Sequence, residues 1–319
     1  MKTSFESPPP PVLQRFSLNG ATMGTRYTAV FYAAADVDAA AIGACLFAAV
    51  DQVDRQMSSW NPASDLCRVN AAPDNTWIAI PDELAEVLEA GLQVGAASKG
   101  AFDIGLGALV EAWGFGPARR PLAAPPPARN GTQAGVGAAG LEVDRKGLRV
   151  RKHRPVCLDL SGIAKGYGVD RLAQCLDRWG VTHYLVGIDG EMRSRGAKPG
   201  GEAWTVAIEK PVYGIREVIG AIELTDTAIA TSGDYRRWVD LGGKRFSHTM
   251  DAATQQPIKS DLAGVTVLAP TCMLADAWAT ALLVLGLEQG SQLTRELGMD
   301  ALFIWRDGGT LREVWIAGK

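Results

Sequence analysis

The sequence predicts an α+β fold. Its strand-like segments cluster and follow one another locally, whereas strict alternation of strand and helix would point to a parallel α/β sheet. Helical periodicity is confined to a few separated stretches. The 319 residues suit one large domain or two intimately packed lobes, and 47% hydrophobic with 21% charged residues is a globular composition.

Residues 1–14 carry a run of prolines and are expected to form a disordered tail ahead of a single domain over 15–317. Thr25 to Tyr32 alternate as a strand does. A helix is expected from about Val37 to Met57, with Ile42, Leu46, Ala49, Val50 and Val53 on one face. Pro81 opens a second helix carrying Leu84, Val87, Leu88 and Leu92 and ending near Gly100. A short third carries Leu106, Leu109, Val110 and Trp113. The stretch 117–140, rich in Pro, Ala and Gly, reads as a surface loop insertion. Strands are expected at 148–150 and from Val156 to Leu160, then a helix from about Gly162 to Trp179. Beyond it, strand-like segments at 184–188, 204–208, 218–224, 228–231, 265–269, 302–305 and 313–316 surround two helices near 272–286 and 288–297.

A formal charge of −3 and no Lys/Arg cluster argue against nucleic acid and anionic lipid as partners. The most apolar run, Cys272 to Leu287, is shorter than the ~20 residues that span a bilayer and contains Asp276, so no membrane insertion is expected. Five cysteines, odd in number, widely spaced and never C-x-x-C, argue against a disulfide framework and a zinc site. Three histidines are too few for a histidine-rich centre, so any metal would be a hard ion held by oxygen, such as Mg²⁺. Residues 1–16 show no apolar signal core and no lipidation cysteine. The expected location is the cytoplasm, or the periplasm if a leader was removed.

The 36 glycines gather in short stretches, which points to backbone that turns sharply or approaches a ligand closely. In Ala275-Asp-Ala-Trp-Ala-Thr280, the i, i+4 spacing puts the Asp276 carboxylate and Thr280 hydroxyl on one helical face. Neighbours Met273, Leu274, Ala277, Trp278, Leu282 and Leu283 are apolar, and a carboxylate there needs a cation or a donor. Two readings stay open from these residues alone: a ligand to a hard cation, or a partner of the helix dipole. Leu158-Asp-Leu-Ser-Gly-Ile-Ala-Lys165-Gly is a strand, a glycine turn and a helix with an early lysine, an arrangement that handles phosphate. It lacks the Walker spacing, and an ordinary turn with a solvated lysine is the alternative. His248, in Phe246-Ser-His-Thr-Met-Asp251, is flanked by polar turn residues, whereas His153 and His183 read as structural hydrogen-bonders. Phe102 suits covering a flat ring and Asp103 suits capping the next helix.

Taken in order, these stretches resemble the ApbE family of FAD:protein FMN transferases. The similar blocks are Met23-Gly-Thr, Met57-Ser-Ser-Trp60, Phe102-Asp-Ile-Gly-Leu-Gly107, Trp113-Gly-Phe-Gly116, Leu158 to Gly166, Ala230-Thr-Ser-Gly-Asp-Tyr235, His248-Thr-Met-Asp251 and Ala275 to Thr280. The resemblance implies two merged lobes of mainly antiparallel sheet with helices (T-fold-related) and FAD in the cleft between them. It implies Mg²⁺ held by Asp276, Thr280 and the backbone of Gly162. Met23, Trp60, Ala101, Phe102, Asp103, Asp159, Lys165, His248 and Thr249 fall at positions that contact FAD. It also implies the reaction: a threonine or serine of an acceptor flavoprotein takes FMN through a phosphoester bond, and AMP leaves. Asp276, Lys165 and His248 are then the candidate catalytic residues, His248 or a metal-bound carboxylate serving as base.

The sequence departs from the family pattern twice. Asp251-Ala-Ala-Thr254-Gln255 lacks the usual Pro and Gly, and Ile188-Asp189-Gly190-Glu191 lacks the tandem glycine. Two competing readings use the same residues. One is a Mg²⁺-dependent pyrophosphatase splitting FAD to FMN and AMP; the other is a non-catalytic FAD carrier or cofactor-assembly protein.

Overall fold

A computed structural model describes residues 12–117, 122, 124–126 and 140–318. In chain order the elements are β1 (Leu13–Thr22), β2 (Thr25–Ala34), α1 (Ala39–Met57), α2 (Asp65–Ala71), β3 (Trp77–Ala79), α3 (Asp82–Ala97), α4 (Gly107–Ala112), β4 (Leu141–Asp144) and β5 (Arg149–Lys152). There follow α5 (Ala164–Arg178), β6 (His183–Ile188), β7 (Glu191–Arg195), β8 (Trp204–Glu209), β9 (Val218–Leu224), β10 (Ala228–Gly233), β11 (Trp238–Leu241) and β12 (Lys244–Ser247). The chain closes with β13 (Met250–Asp251), β14 (Gln256–Pro257), β15 (Leu262–Ala269), α6 (Cys272–Leu297), β16 (Asp300–Asp307) and β17 (Thr310–Ile316).

An eight-stranded sheet runs β1-β2-β6-β7-β10-β15-β16-β17. Every neighbouring pair in it is antiparallel, as an α+β fold requires. Strand alternation sorts its side chains between two cores. In β2, Tyr27, Ala29 and Phe31 join the core under α1 and α5, while Val30 and Tyr32 pack on the opposite core. That opposite core is closed by Trp204, Val206 and Ile208 of the β8–β9 hairpin. The small sheet β3-β5-β4 shares a further core with α2 and α3, to which α6 contributes Met273, Ala277 and Ala281. One helix therefore serves both lobes, which is the physical content of their being merged.

Several expectations need correction. Residues 13 and 14 already belong to β1, while 1–11 and most of 117–140 lie outside the described residues. Val156 to Leu160 is not a strand. Leu158 instead exchanges hydrogen bonds with the Asn70 side chain (2.7 and 3.0 Å), and only Cys157 forms an isolated bridge, to Leu106. A side-chain amide there supplies what a neighbouring strand would. By contrast, the two helices expected near 272–286 and 288–297 are present as the two halves of α6, which part at Gly286, whose φ of 77° and ψ of 179° are non-helical. By length and composition α6 suffices to cross a membrane, but half of its apolar window is buried inside the protein (50%).

The cysteine expectation also fails in part. Cys45 of α1 and Cys175 of α5 form a disulfide, with Cα atoms 6.3 Å apart and a separation of 130 positions in sequence. Odd number and wide spacing do not report on proximity between two helices. Cys67, Cys157 and Cys272 are thiols. Cys175→Ala is expected to destabilise the oxidised protein by about 3–5 kcal/mol, the value for a long closed loop. Denaturant titration with and without reductant measures it; equal midpoints would show that the link contributes nothing.

Candidate functional site

The cleft is built where α5 and α6 begin, and each helix supplies the other's N-terminal cap. Asp170 of α5 accepts the backbone N–H groups of Cys272 (3.0 Å) and Met273 (2.9 Å), and Thr271 Oγ1 accepts that of Leu274 at 3.3 Å. In return Asp276 Oδ2 accepts the Gly166 N–H at 3.0 Å. This matters because Ile163, the N-cap of α5, offers no side-chain hydrogen bond. Helix starts leave unsatisfied donors and a positive dipole end, so a carboxylate at each is favourable. Asp276 is thus a dipole partner, but of the neighbouring helix rather than its own. Gly166 permits the approach: a Cβ there would lie 2.3 Å from Cys272 O and 2.8 Å from Asp276 Cβ.

Asp276 is only 4% exposed. Burial pushes its carboxyl well above the ordinary aspartate value, against the pull of Lys165 and of the Gly166 N–H. One helical turn on, Thr280 Oγ1 lies 2.9 Å from Ser232 Oγ of β10. Gly162 closes over the same hydroxyl, since a Cβ there would stand 3.2 Å from Thr280 Oγ1 and 3.2 Å from Phe102 Cε2. Asp276, Thr280 and Gly162 therefore meet at one end of the cleft. Among the described residues no three or more His, Cys, Asp or Glu gather as a metal site. A cation here would use hydroxyl, backbone and ligand oxygens beside one carboxylate, a donor set that suits a hard divalent ion.

Lys165, one residue before Gly166, donates to Glu191 Oε1 at the start of β7. Burial lowers its pKa, but Glu191 and Asp276 outweigh burial and hold the ammonium above the ordinary lysine value. The cation is thus kept charged inside a cleft of about 1160 Å³. That cleft is also lined by Met23, Trp60, Ala101, Phe102, Asp103, Asp159, Gly162, His248, Thr249, Asp276 and Thr280. Every candidate metal, FAD-binding and catalytic residue named from the sequence reaches this one cavity. Met23 does so from the β1–β2 turn, where it and Gly24 take φ of 45° and 71° as a two-residue hairpin requires. Asp103 and Asp159 each hold their own turn, through Gly105 N (2.7 Å) and Ser161 N (2.8 Å).

His248 Nδ1–H donates to Arg237 O at 3.2 Å, which leaves Nε2 as the ring's basic nitrogen. Burial, and secondarily Arg237, push its pKa down to about 4. His153 and His183 are hydrogen-bonded at the Glu142 side chain and the Ala197 carbonyl, the structural role expected of them. Both departures from the family pattern keep their turns. Asp189 and Gly190 take φ of 52° and 117° at the β6–β7 turn, and Gln255 takes 54° where glycine is usual. Asp251 accepts from Ala253 N and Thr254 Oγ1, replacing the stiffness that proline would supply.

Glu191, Ser232 and Asp170 were not picked out as site residues. Ser232 lies inside the Ala230–Tyr235 block, Glu191 ends the Ile188–Glu191 stretch, and Asp170 lies four residues beyond Gly166. No local pattern marks their partners.

The profile of the ApbE family matches residues 23–303. The FAD:protein FMN transferase of Klebsiella pneumoniae strain 342 is 36% identical over 309 residues, covering 96% of this chain and 88% of that protein. The FAD:protein FMN transferase of Escherichia coli K12 is 33% identical over 304 residues, covering 94% and 86%. The flavin transferase ApbE of Vibrio cholerae superposes with a TM-score of 0.86 at 34% identity, over 95% of this chain and 97% of that one. The ApbE protein of Thermotoga maritima gives 0.80 at 27% identity, over 94% and 96%. Agreement at this level extends across both lobes and the cleft between them, and the chain belongs to the ApbE family.

Proposed function

We propose that this chain is an FAD:protein FMN transferase, with Mg²⁺ as its cation and a threonine or serine of a flavoprotein as acceptor. The observation that carries the reading is the meeting of Asp276, Thr280 and Gly162 beside a charged Lys165 in one flavin-sized cleft. Asp276, Thr280 and the Gly162 backbone would hold the ion, which supplies Lewis-acid neutralisation of pyrophosphate charge. The Lys165 ammonium, held by Glu191, opposes negative charge growing on the phosphates. Phe102 and Met23 offer apolar surface to a flat ring. The acceptor hydroxyl loses its proton to His248 Nε2, its oxygen bonds to the FMN phosphorus, and the bond to the AMP phosphate breaks, leaving AMP with the electron pair.

The test is incubation with FAD, Mg²⁺ and a candidate acceptor. Covalently yellow acceptor with equimolar AMP supports transfer. Free FMN with AMP and no labelled protein would establish the pyrophosphatase instead, and intact bound FAD would establish a carrier. We keep the cytoplasm as the proposed location. An intact Cys45–Cys175 bond in protein taken directly from cells would move it to an oxidising compartment.

The depressed His248 pKa gives a signed expectation. The base works unprotonated, so protonation of His248 itself stops transfer only as pH falls through about 4, below the limb that the raised Asp276 carboxyl sets. The same group lowers stability with falling pH between about 6.5, its unfolded value, and 4, because the unfolded chain binds the proton first. A rate limb near pH 6.5 that vanishes in His248→Ala would overturn this assignment of the base.

A further inference from the structure

We infer that Glu191 is a substrate-binding residue that accepts a hydrogen bond from a hydroxyl of the flavin's ribityl chain, an inference that rests on the transferase reading. Glu191 is the first residue of β7, opposite Ile188 of β6 in the hairpin register. Two residues along β7, Arg193 points to the same side. The pair meets α5 at matching intervals: Glu191 binds Lys165 and Arg193 binds Asp170. Two strand residues span about 6.6 Å and five helical residues about 7.5 Å, so the two ion pairs lie side by side.

The two pairs differ in one respect. Asp170 is satisfied at both oxygens: Oδ1 takes Arg193 and Cys272 N, and Oδ2 takes Met273 N. Glu191 uses Oε1 for Lys165, while Oε2 is buried with no hydrogen-bond partner among the described residues. Its side chain is 5% exposed and forms part of the cleft wall. Buried carboxylate oxygens without a donor are costly, and their presence at a cavity wall points to a donor brought by the ligand.

The chemistry of that donor is restricted. Lys165 already pairs with the carboxylate at Oε1, and the donors that FAD itself carries are neutral. Phosphate oxygens only accept. On FAD this leaves hydroxyls, the flavin ring N–H and the adenine amino group, and on the transferase reading Lys165 holds the phosphates next to Glu191. The groups adjoining a phosphate are the ribityl hydroxyls on the FMN side and the ribose hydroxyls on the AMP side. Asp189 and Gly190 of the preceding turn and Met192 line the same wall. Glu191 faces the helix side of the sheet, where it meets Lys165 near the start of α5, and Phe102 and Met23 abut that same segment at Gly162 and Gly168 and offer a surface for the flavin ring. The ribityl chain is the hydroxyl-bearing part that joins such a ring to the phosphate.

The test uses ligands that carry the parts separately. Dissociation constants of FAD, riboflavin, lumichrome and ADP are measured for the wild type and for Glu191→Ala, with thermal melting as the check on folding. Riboflavin keeps the ribityl chain without phosphate, lumichrome keeps the ring alone, and ADP keeps only the ribose side. Glu191→Ala is expected to weaken riboflavin and FAD about tenfold or more, the loss of one hydrogen bond to a charged acceptor. Lumichrome should change less than about twofold on the same scale. Riboflavin binding unchanged, or lumichrome weakened as much as riboflavin, overturns the inference. Loss confined to ADP overturns it too, by moving the hydroxyl to the ribose. A wild type that binds no FAD defeats the transferase reading itself and is told apart by that result.

Discussion

Asp276→Asn is expected to fold as the wild type does and to lose FMN transfer by about 10³-fold or more, the scale of removing a charge-stabilising group from a reacting centre. The choice of asparagine separates the two jobs of Asp276. Its side-chain oxygen still accepts the Gly166 N–H now made by Oδ2, so the cap on α5 survives. The negative charge, which alone attracts a hard cation into this apolar surrounding, is gone. Asp276→Ala removes both and should lose transfer together with about 1 kcal/mol of stability, the usual worth of a helix cap. The measurement is the rate of acceptor flavinylation at saturating FAD and Mg²⁺, beside a denaturant midpoint. Asp276→Asn transferring within tenfold of the wild type would sink the cation assignment.

Gly166→Ala is expected to cost about 1–3 kcal/mol of stability and to slow transfer about 100-fold. The new Cβ would meet the Cys272 carbonyl oxygen at 2.3 Å and its carbon at 2.7 Å. These are backbone atoms of the first residue of α6, so no side-chain rotation relieves the contact. The helices must part, and with them the Gly166 N–H from Asp276 and Lys165 from its place in the cleft. Gly180→Ala is the control. Gly180 ends α5 at a φ of 71° with nothing within 4 Å, so substitution there strains the backbone far from the cleft. Comparable stability losses with activity lost only at position 166 would bear the argument out; equal rates in both variants would refute it.

The order of elements was legible because each depends on near neighbours. The α1 stripe, the alternation of β2 and the Asp276/Thr280 pair all follow from periods of 3.6 or 2 residues. Three misreadings share one cause. Val156 to Leu160 has a strand's composition, but its partner is the Asn70 side chain, 88 residues away. Cys45 and Cys175 are 130 residues apart and meet only because α1 packs on α5. Proline-rich composition extended the expected tail over residues that β2 recruits into an edge strand.

By itself the sequence determined the helices other than α2, the strands with clear alternation and, through blocks kept in order, membership of a flavin-transferase family. Only the tertiary structure decided what those residues do to one another. Asp276 reaches Gly166 across 110 positions, Asp170 reaches Cys272 across 102, and Lys165 meets Glu191 across 26. Periodicity carries no information at such separations. The packing of two helix starts against each other turned an i, i+4 pair with two open readings into a capped, buried carboxylate facing a cleft, and left Glu191 with an oxygen for the substrate.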